Sequence, residues 1–177
     1  MANLVNIAHV CHYIFAGGDE PKGNISNVRT KEYSVPIFSN GESDDGLYGY
    51  TDFARVINPS ITVSARGTIG FIAIRNEPFV PIVRLISITP IPEKIEIKYL
   101  YYALQNYKFG GSGTSIPQLT VPMLKRHSFP LPPRQQQLSI IAQMDEVCNL
   151  ISLRKQQLSK LDELVKSRKV GEIRVVA

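Results

Sequence analysis

The first 131 residues alternate short apolar runs with turn-forming residues, a pattern that predicts β-strands. A strand is predicted over residues 61–65, where Ile61, Val63 and Ala65 alternate with Thr62 and Ser64, as in a half-buried strand. A second strand is predicted over residues 69–74. A tight turn at Arg66-Gly67-Thr68 would join the two, with glycine supplying the positive φ that such turns need. Residues 81–90 predict a third strand, rich in β-branched side chains.

A different period governs residues 93–107. Ile97, Leu100, Tyr101 and Leu104 recur at steps of three and four residues, which predicts one amphipathic helix. The first part of the chain is therefore predicted to be an α+β domain with a mixed or antiparallel β-sheet and short helices.

The second part begins after Pro132-Pro133, a pair typical of a helix start. No further proline or glycine occurs until Gly171, and the apolar spacing predicts one long coiled-coil helix from about residue 134 to 168. We accordingly assign residues 1–131 to a globular domain, 132–170 to the helix and 171–177 to a tail. The heptad stripe consists of Ile140, Met144, Val147, Ile151, Arg154, Leu158, Leu161 and Val165.

A helix of that length, about 50 Å, needs a second long helix to cover its stripe, and the sequence predicts no other. The partner would be another chain or a second copy of this one; the alternative is a terminal helix that folds back on the domain. Arg154 would set the register by pairing with Asp162 or Glu163, or would extend outward to solvent. The three glutamines at 135–137 are expected to be solvated.

The composition narrows the class of protein. The chain has 177 residues and 44% hydrophobic content, enough for one core. No apolar run is long enough for a membrane span and the N-terminus does not resemble a signal peptide, so we expect a cytoplasmic protein without membrane association. Cys11 and Cys148 lack a C-x-x-C spacing and are expected to be reduced structural thiols.

The charge permits nucleic-acid binding without proving it. The net charge is +5, of which residues 1–133 contribute +2 and residues 134–177 contribute +3. A DNA-binding surface would therefore be a local patch rather than a uniform basic coat.

No catalytic residue, metal site or cofactor is predicted. His9, Cys11 and His12 are close in sequence, but ordinary structural roles are expected for them. "GTIG" lacks the Lys-Ser/Thr of a phosphate-binding loop. "NPSI" lacks the second proline and the aromatic residue of an adenine methyltransferase motif, and "SDD" lacks the residues that would complete a nuclease centre.

What remains is a set of residues suited to binding DNA. Amides read adenine edges, arginines read guanine edges, and hydroxyl groups contact phosphates. Such residues occur in the glycine-rich segment 39–52, at the predicted hairpin turn, in the segment 110–119 and in a loose basic cluster upstream. The candidate DNA-contacting residues are Lys22, Arg29, Lys31, Asn40, Tyr48, Tyr50, Arg66, Thr68, Thr114, Ser115 and Gln118.

The order of motifs closely resembles a target-recognition half of the specificity (S) subunits of type I restriction–modification enzymes. The resemblance rests on a Gly/Ser-rich loop, "IPQL", the run to "PLPP", a glutamine-rich helix start and the long helix. "FAGGDEPK", "VPIFSNGE" and "VSARGTIG" fall where such domains place their glycine turn, strand and hairpin. The resemblance spans essentially the whole chain and is most specific from "IPQL" to "PLPP".

This resemblance implies a non-catalytic subunit that reads one half of a split site in double-stranded DNA. Its long helix would pair in an antiparallel coiled coil and dock methyltransferase (M) subunits, which methylate adenine; a restriction (R) subunit, where present, would cleave. Complete family members carry two domains and two helices, so this chain is either a half-length subunit that forms homodimers or a fragment. The rival hypothesis is a regulatory protein that docks on M or S subunits through its helix.

Overall fold

The computed structural model describes residues 3–107 and 118–175, with side chains as far as residue 166. The described residues form nine strands and three α-helices, and the predicted α+β class is confirmed. The strands are β1 (Asn3–Asn6), β2 (Cys11–Ala16), β3 (Val35–Phe38), β4 (Leu47–Thr51), β5 (Ser60–Val63), β6 (Ile72–Arg75), β7 (Val80–Pro81), β8 (Ile86–Pro90) and β9 (Ser128–Leu131). The helices are α1 (Ile97–Gln105), α2 (Val121–Lys125) and α3 (Arg134–Val175), and Ile7–His9 and Ser43–Gly46 form 3₁₀ turns.

The chain divides into two compact units between Leu138 and Ser139. The first holds all the strands, α1, α2 and the first turn of α3, and the second is the rest of α3. No helix in the described part of the chain is long and apolar enough to cross a membrane.

The largest sheet has four strands in the order β2-β8-β5-β6, and every neighbouring pair is antiparallel. All four residues of β5 are buried, so this strand lies at the centre of the domain. Ile61 pairs with Ile88 and Val63 with Ile86 across the β5–β8 ladder, which gives the sheet an apolar cross-strand seam.

Two smaller sheets complete the strand arrangement. In the three-stranded sheet β4-β3-β7, β3 is antiparallel to β4 and parallel to β7. In the two-stranded sheet, β1 pairs with β9, so the N-terminal residues bind the strand that leads into α3. In the core cluster around Phe79, the Phe38 ring packs edge to face against the Phe79 ring, with 5.8 Å between the ring centroids.

Local patterns predicted the right elements with some wrong boundaries. The hairpin of β5 and β6 forms, but residues 64–71 make a longer loop in place of the predicted tight turn, although Gly67 does adopt a positive φ of 66°. The single strand predicted over 81–90 is wrong: it is interrupted by a turn at residues 82–85, which separates β7 from β8. Continuous β-branched composition predicted the strand, whereas contacts with other segments impose the turn.

The start of α3 is anchored by a buried glutamine. Gln137 is 2% exposed, which corrects the prediction that the three glutamines are all solvated. Its Oε1 accepts the backbone N–H of Glu96 at 3.0 Å and its Nε2 donates to the Pro132 carbonyl at 3.0 Å. Residue 96 immediately precedes α1, which begins at Ile97, later than predicted, so the buried glutamine also gives a partner to the backbone N–H at the start of α1.

The long helix α3 has 42 residues, about 63 Å at 1.5 Å per residue. It continues past Gly171 to Val175, beyond the predicted end. One glycine costs a helix only about 1 kcal/mol relative to alanine, and it need not end the helix.

The two cysteines have different environments. Cys11 is buried, and burial raises the pKa of its thiol to about 12. Cys148 is exposed on α3. A buried thiol with a raised pKa stays protonated and unreactive, so Cys11 serves as a small side chain of the core.

Gly17→Ala should destabilise the domain by about 1–3 kcal/mol, because the added Cβ would lie 2.5 Å from the carbonyl carbon and oxygen of Pro81. Gly18→Ala is the matched control, since its Cβ would meet only the end of the Arg55 side chain, at 2.9 Å. Urea unfolding should show a change within about 0.5 kcal/mol for the control. Equal midpoints for the two variants would contradict the close backbone approach at Gly17.

Candidate nucleic-acid interface

The antiparallel register brings four loops to one end of the sheets. Val63 at the end of β5 pairs with Ile86 at the start of β8 and with Ile72 at the start of β6. Ala16, at the end of β2, pairs with the same Ile86. The loops beyond these strand ends therefore share one edge.

The smaller three-stranded sheet sends its loops to the same edge. Phe38 at the end of β3 pairs with Leu47 at the start of β4 and with Pro81 at the end of β7. The turn 82–85 carries the chain from β7 directly into β8, which connects the two sheets at this edge. We call the loops 17–24, 39–46, 64–71 and 82–85 the loop rim.

Asn40 links three parts of the loop rim. Its Oδ1 accepts the backbone N–H of Ala65 at 2.7 Å, and its Nδ2 donates to the carbonyl of Val83. Nearby, the Gly41 N–H donates to the Ser64 hydroxyl at 3.2 Å. The Asn40 amide was predicted to contact DNA; in the structure both of its polar atoms have backbone partners, so it holds loops in place.

Arg66 and Gln118, which are 52 residues apart and were both predicted to contact DNA, lie together. The Arg66 guanidinium donates to the Gln118 Oε1 at 3.1 Å. The adjacent backbone reinforces the contact, because the Leu119 N–H donates to the Ala65 carbonyl at 3.0 Å. Arg66 is exposed, so an arginine fork and a side-chain amide are presented side by side.

A buried arginine holds the loop between β3 and β4. Arg75 is 5% exposed; its guanidinium lies 3.7 Å from the centre of the Phe38 ring, and its Nε donates to the Thr62 hydroxyl at 3.1 Å. It also pairs with the Asp45 carboxylate and carbonyl. Burial lowers the pKa of Arg75, and the Asp45 charge opposes that shift.

The contacts of Arg75 with Asp45 hold an unusual backbone conformation at residues 44–46. Asp44, Asp45 and Gly46 have φ values of 49°, 54° and 76°, three consecutive residues in the left-handed region. Aspartate and glycine are among the residue types that adopt this region most readily. The contacts of Arg75 and the tolerance of these residue types together define the shape of the 39–46 loop.

The turn 82–85 is the part of the rim that sequence patterns missed. Val83 and Arg84 have φ values of 50° and 63°, and both are exposed. Left-handed backbone costs an L-residue other than glycine about 1–2 kcal/mol. The local sequence does not predict the turn, because valine and arginine rarely occupy turn positions with positive φ.

Of the other predicted residues, Lys22 and Thr68 lie in loops of the rim and the rest lie beside it or elsewhere. Tyr48 is exposed beside the rim, where a hydrogen bond with Glu20 raises the pKa of its hydroxyl. Arg29 forms an ion pair with Glu77 at 2.7 Å and lies 5.9 Å from the Tyr50 ring, towards the opposite end of β3 and β4. Lys22, Lys31 and Thr68 are exposed. Thr114 and Ser115 lie outside the described residues.

The second candidate surface is the stripe on α3. Val147, Ile151, Leu158, Leu161 and Val165 are all exposed, with Leu158 at 62%. Ile140 and Met144 are half-buried. Arg154 donates to the Gln157 Oε1 at 3.0 Å on the same helix.

A stripe of this length is unusual for a surface in contact with water. Large apolar side chains repeat from Val147 to Val165 at intervals of three and four residues, except that Arg154 occupies the position between Ile151 and Leu158. Contiguous exposed apolar patches of this kind mark interaction sites.

Comparison with known proteins identifies the class of domain that this geometry resembles. A family model described as the type I restriction modification DNA specificity domain matches residues 3–163. A putative type I specificity subunit of Mycoplasma pneumoniae is 32% identical over 171 residues, which cover 90% of this chain and 47% of that relative. The chain spans about half the length of the curated relatives it matches.

Solved structures show the same fold. A chain from a study of complex assembly and conformational transition in the type I R-M system has a TM-score of 0.78 at 19% identity and covers 93% of this chain and 42% of that one. The HsdS subunit from Thermoanaerobacter tengcongensis has a TM-score of 0.68 at 20% identity, over 87% of this chain and 39% of that one.

Asn40→Ala should destabilise the domain by about 2 kcal/mol, because it removes the partners of the Ala65 N–H and the Val83 carbonyl. Asn24→Ala is the matched control, since Asn24 makes one exposed hydrogen bond to Asp52, at 3.0 Å. Chemical unfolding of both variants measures the difference. Equal, small losses would contradict the loop-holding role of Asn40.

Proposed function

Since this chain belongs to the type I restriction modification DNA specificity domain family, we propose that it reads one half of a split double-stranded DNA site for methyltransferase (M) subunits. The observation that carries the proposal is the loop rim. It presents Arg66, with Gln118 of a neighbouring segment bound to it, on a surface built by strand ends from two sheets. Arginine and amide side chains are the groups that read guanine and adenine edges in the major groove.

The charges of the rim support sequence reading over general DNA attraction. Its basic side chains are few and are outnumbered by acidic ones; the basic residues are Lys22, Arg66 and Arg84, and the acidic residues are Asp19, Glu20, Glu42, Asp44 and Asp45. A surface with this balance of charges attracts DNA phosphates weakly. Its proposed contribution to DNA binding is therefore specificity, through contacts with base edges.

The stripe on α3 supports pairing with the helix of a second copy. An exposed heptad stripe is covered when a second helix of the same spacing packs against it. Two copies related by a two-fold axis would hold two reading domains at a separation set by the helix length. The target of such a dimer would be a palindromic split site.

In this assembly, the chain itself performs no chemistry. The M subunits dock on the paired helices and methylate adenine, and a restriction (R) subunit cleaves where one is present. The complex works in the cytoplasm, where the host DNA lies.

The complex of this chain with its M subunits should select defined half-sites from a library of duplexes with two randomised segments and spacers of varied length. Sequencing of bound duplexes measures the preference. Arg66→Ala should weaken binding to the selected site by about 1–3 kcal/mol and relax one position. A library recovered without enrichment would refute DNA reading and favour a regulatory role through the helix.

Leu158→Glu combined with Leu161→Glu should yield monomers, because two carboxylates in the stripe cannot be buried in a helix pair. Light scattering measures the mass in solution. Asn149→Glu combined with Gln156→Glu adds the same charge on the opposite helical face and should leave the dimer intact. Unchanged mass in the stripe variant would exclude this interface.

A further inference from the structure

The turn between β7 and β8 has a backbone conformation at odds with its sequence. Leu85 donates its N–H to the Ile82 carbonyl at 2.9 Å, which closes a two-residue turn around Val83 and Arg84. Both central residues have positive φ, at 50° and 63°. Turns of this kind favour Asn-Gly, and a β-branched residue such as valine is among the least suited to them.

Neighbouring segments hold this conformation from two sides. The Val83 N–H donates to the Gly18 carbonyl at 2.8 Å, and the Arg84 N–H donates to the Gly17 carbonyl at 3.2 Å. On the other side, the Asn40 side chain donates to the Val83 carbonyl. The hydrogen bonds on Val83 and Arg84 all use their backbone groups, and the flanking Ile82 and Leu85 side chains are buried in the core, so the position of the turn does not depend on the two central side chains.

The side chains of the two central residues, Val83 and Arg84, lie outside the core of the domain. Val83 is 50% exposed, although most large apolar side chains of this domain are buried. Arg84 is exposed, and its guanidinium forms no ion pair or hydrogen bond with any other residue that the structure describes. Strained residues kept at an exposed edge are typical of functional sites.

We propose that Val83 and Arg84 form a rigid tip that reads DNA bases, an inference that rests on the proposed function. Arg84 would donate to the O6 and N7 of a guanine in the major groove, and Val83 would pack against the methyl group of a neighbouring thymine. A flexible exposed lysine or arginine suffices for a phosphate contact. A guanidinium fork on a fixed, strained turn is suited to a base edge, where position and orientation both matter.

The decisive variant is Val83→Asn combined with Arg84→Gly, which installs the preferred turn residues and keeps every backbone contact. It should melt at a higher temperature than the original chain, because the strain is relieved. In complex with the M subunits, it should bind the selected duplex about tenfold or more weakly and lose preference at one or two adjacent base pairs. Lys94→Ala, which removes an exposed charge and its hydrogen bond to the His9 carbonyl beyond the opposite end of β8, should leave DNA binding and base-pair preference unchanged and should not raise the melting temperature.

Arg84→Lys separates base reading from phosphate contact. It keeps the charge and loses the fork, so it should relax the preference at one guanine and leave binding to unrelated duplexes unchanged. Uniform weakening on all duplexes would overturn the base contact. A double variant that binds the selected site as tightly and selectively as the original chain would overturn the whole inference, and a lower melting temperature would overturn the strain on which it rests.

These outcomes are distinct from failure of the proposed function. If the original chain with its M subunits shows no sequence preference, DNA reading itself fails before any variant is compared. If the original chain selects a site and the double variant selects the same one, only the reading tip is refuted.

Discussion

The antiparallel register of the four-stranded sheet is the constraint on which the rest of the domain depends. Its central strand β5 is buried at every position and pairs on both sides, which fixes where β6 and β8 begin and end. The ladder from β8 to β2 extends the same alignment. Loops that are distant in sequence therefore meet at one edge. Strand pairing places the loops there, and the residues of each loop determine only its local conformation.

At that edge, the polar side chains differ in their burial and in their hydrogen-bond partners. Asn40 and Arg75 belong to residue types that bind nucleic acids, yet they bond backbone groups and a neighbouring carboxylate and so determine loop shape. Arg66 and Arg84 belong to the same types but are exposed at the edge. Residue type alone does not separate these roles, whereas burial and hydrogen-bond partners do.

The helix obeys a different constraint. A single helix in water cannot cover a stripe that recurs every seven residues, so the exposed side chains from Val147 to Val165 are an unsatisfied surface in one isolated chain. The same regular spacing that leaves them exposed makes them complementary to another helix with the same repeat. On the proposed function, the heptad pattern of α3 has two consequences: it pairs two chains, and it sets the distance between their DNA-reading domains.

The sequence by itself determined the features that repeat locally. Period-two alternation predicted the β5–β6 hairpin, and heptad spacing predicted α3, because the side chains that define these patterns are neighbours in the element itself. It could not give the interruption at residues 82–85, since Val83 and Arg84 favour extended or helical backbone and are held in their turn by Gly17, Gly18 and Asn40. Nor could it show that Gln137 is buried or that Arg66 meets Gln118. Those contacts join segments tens of residues apart, and only the assembled sheets bring the segments within hydrogen-bond distance.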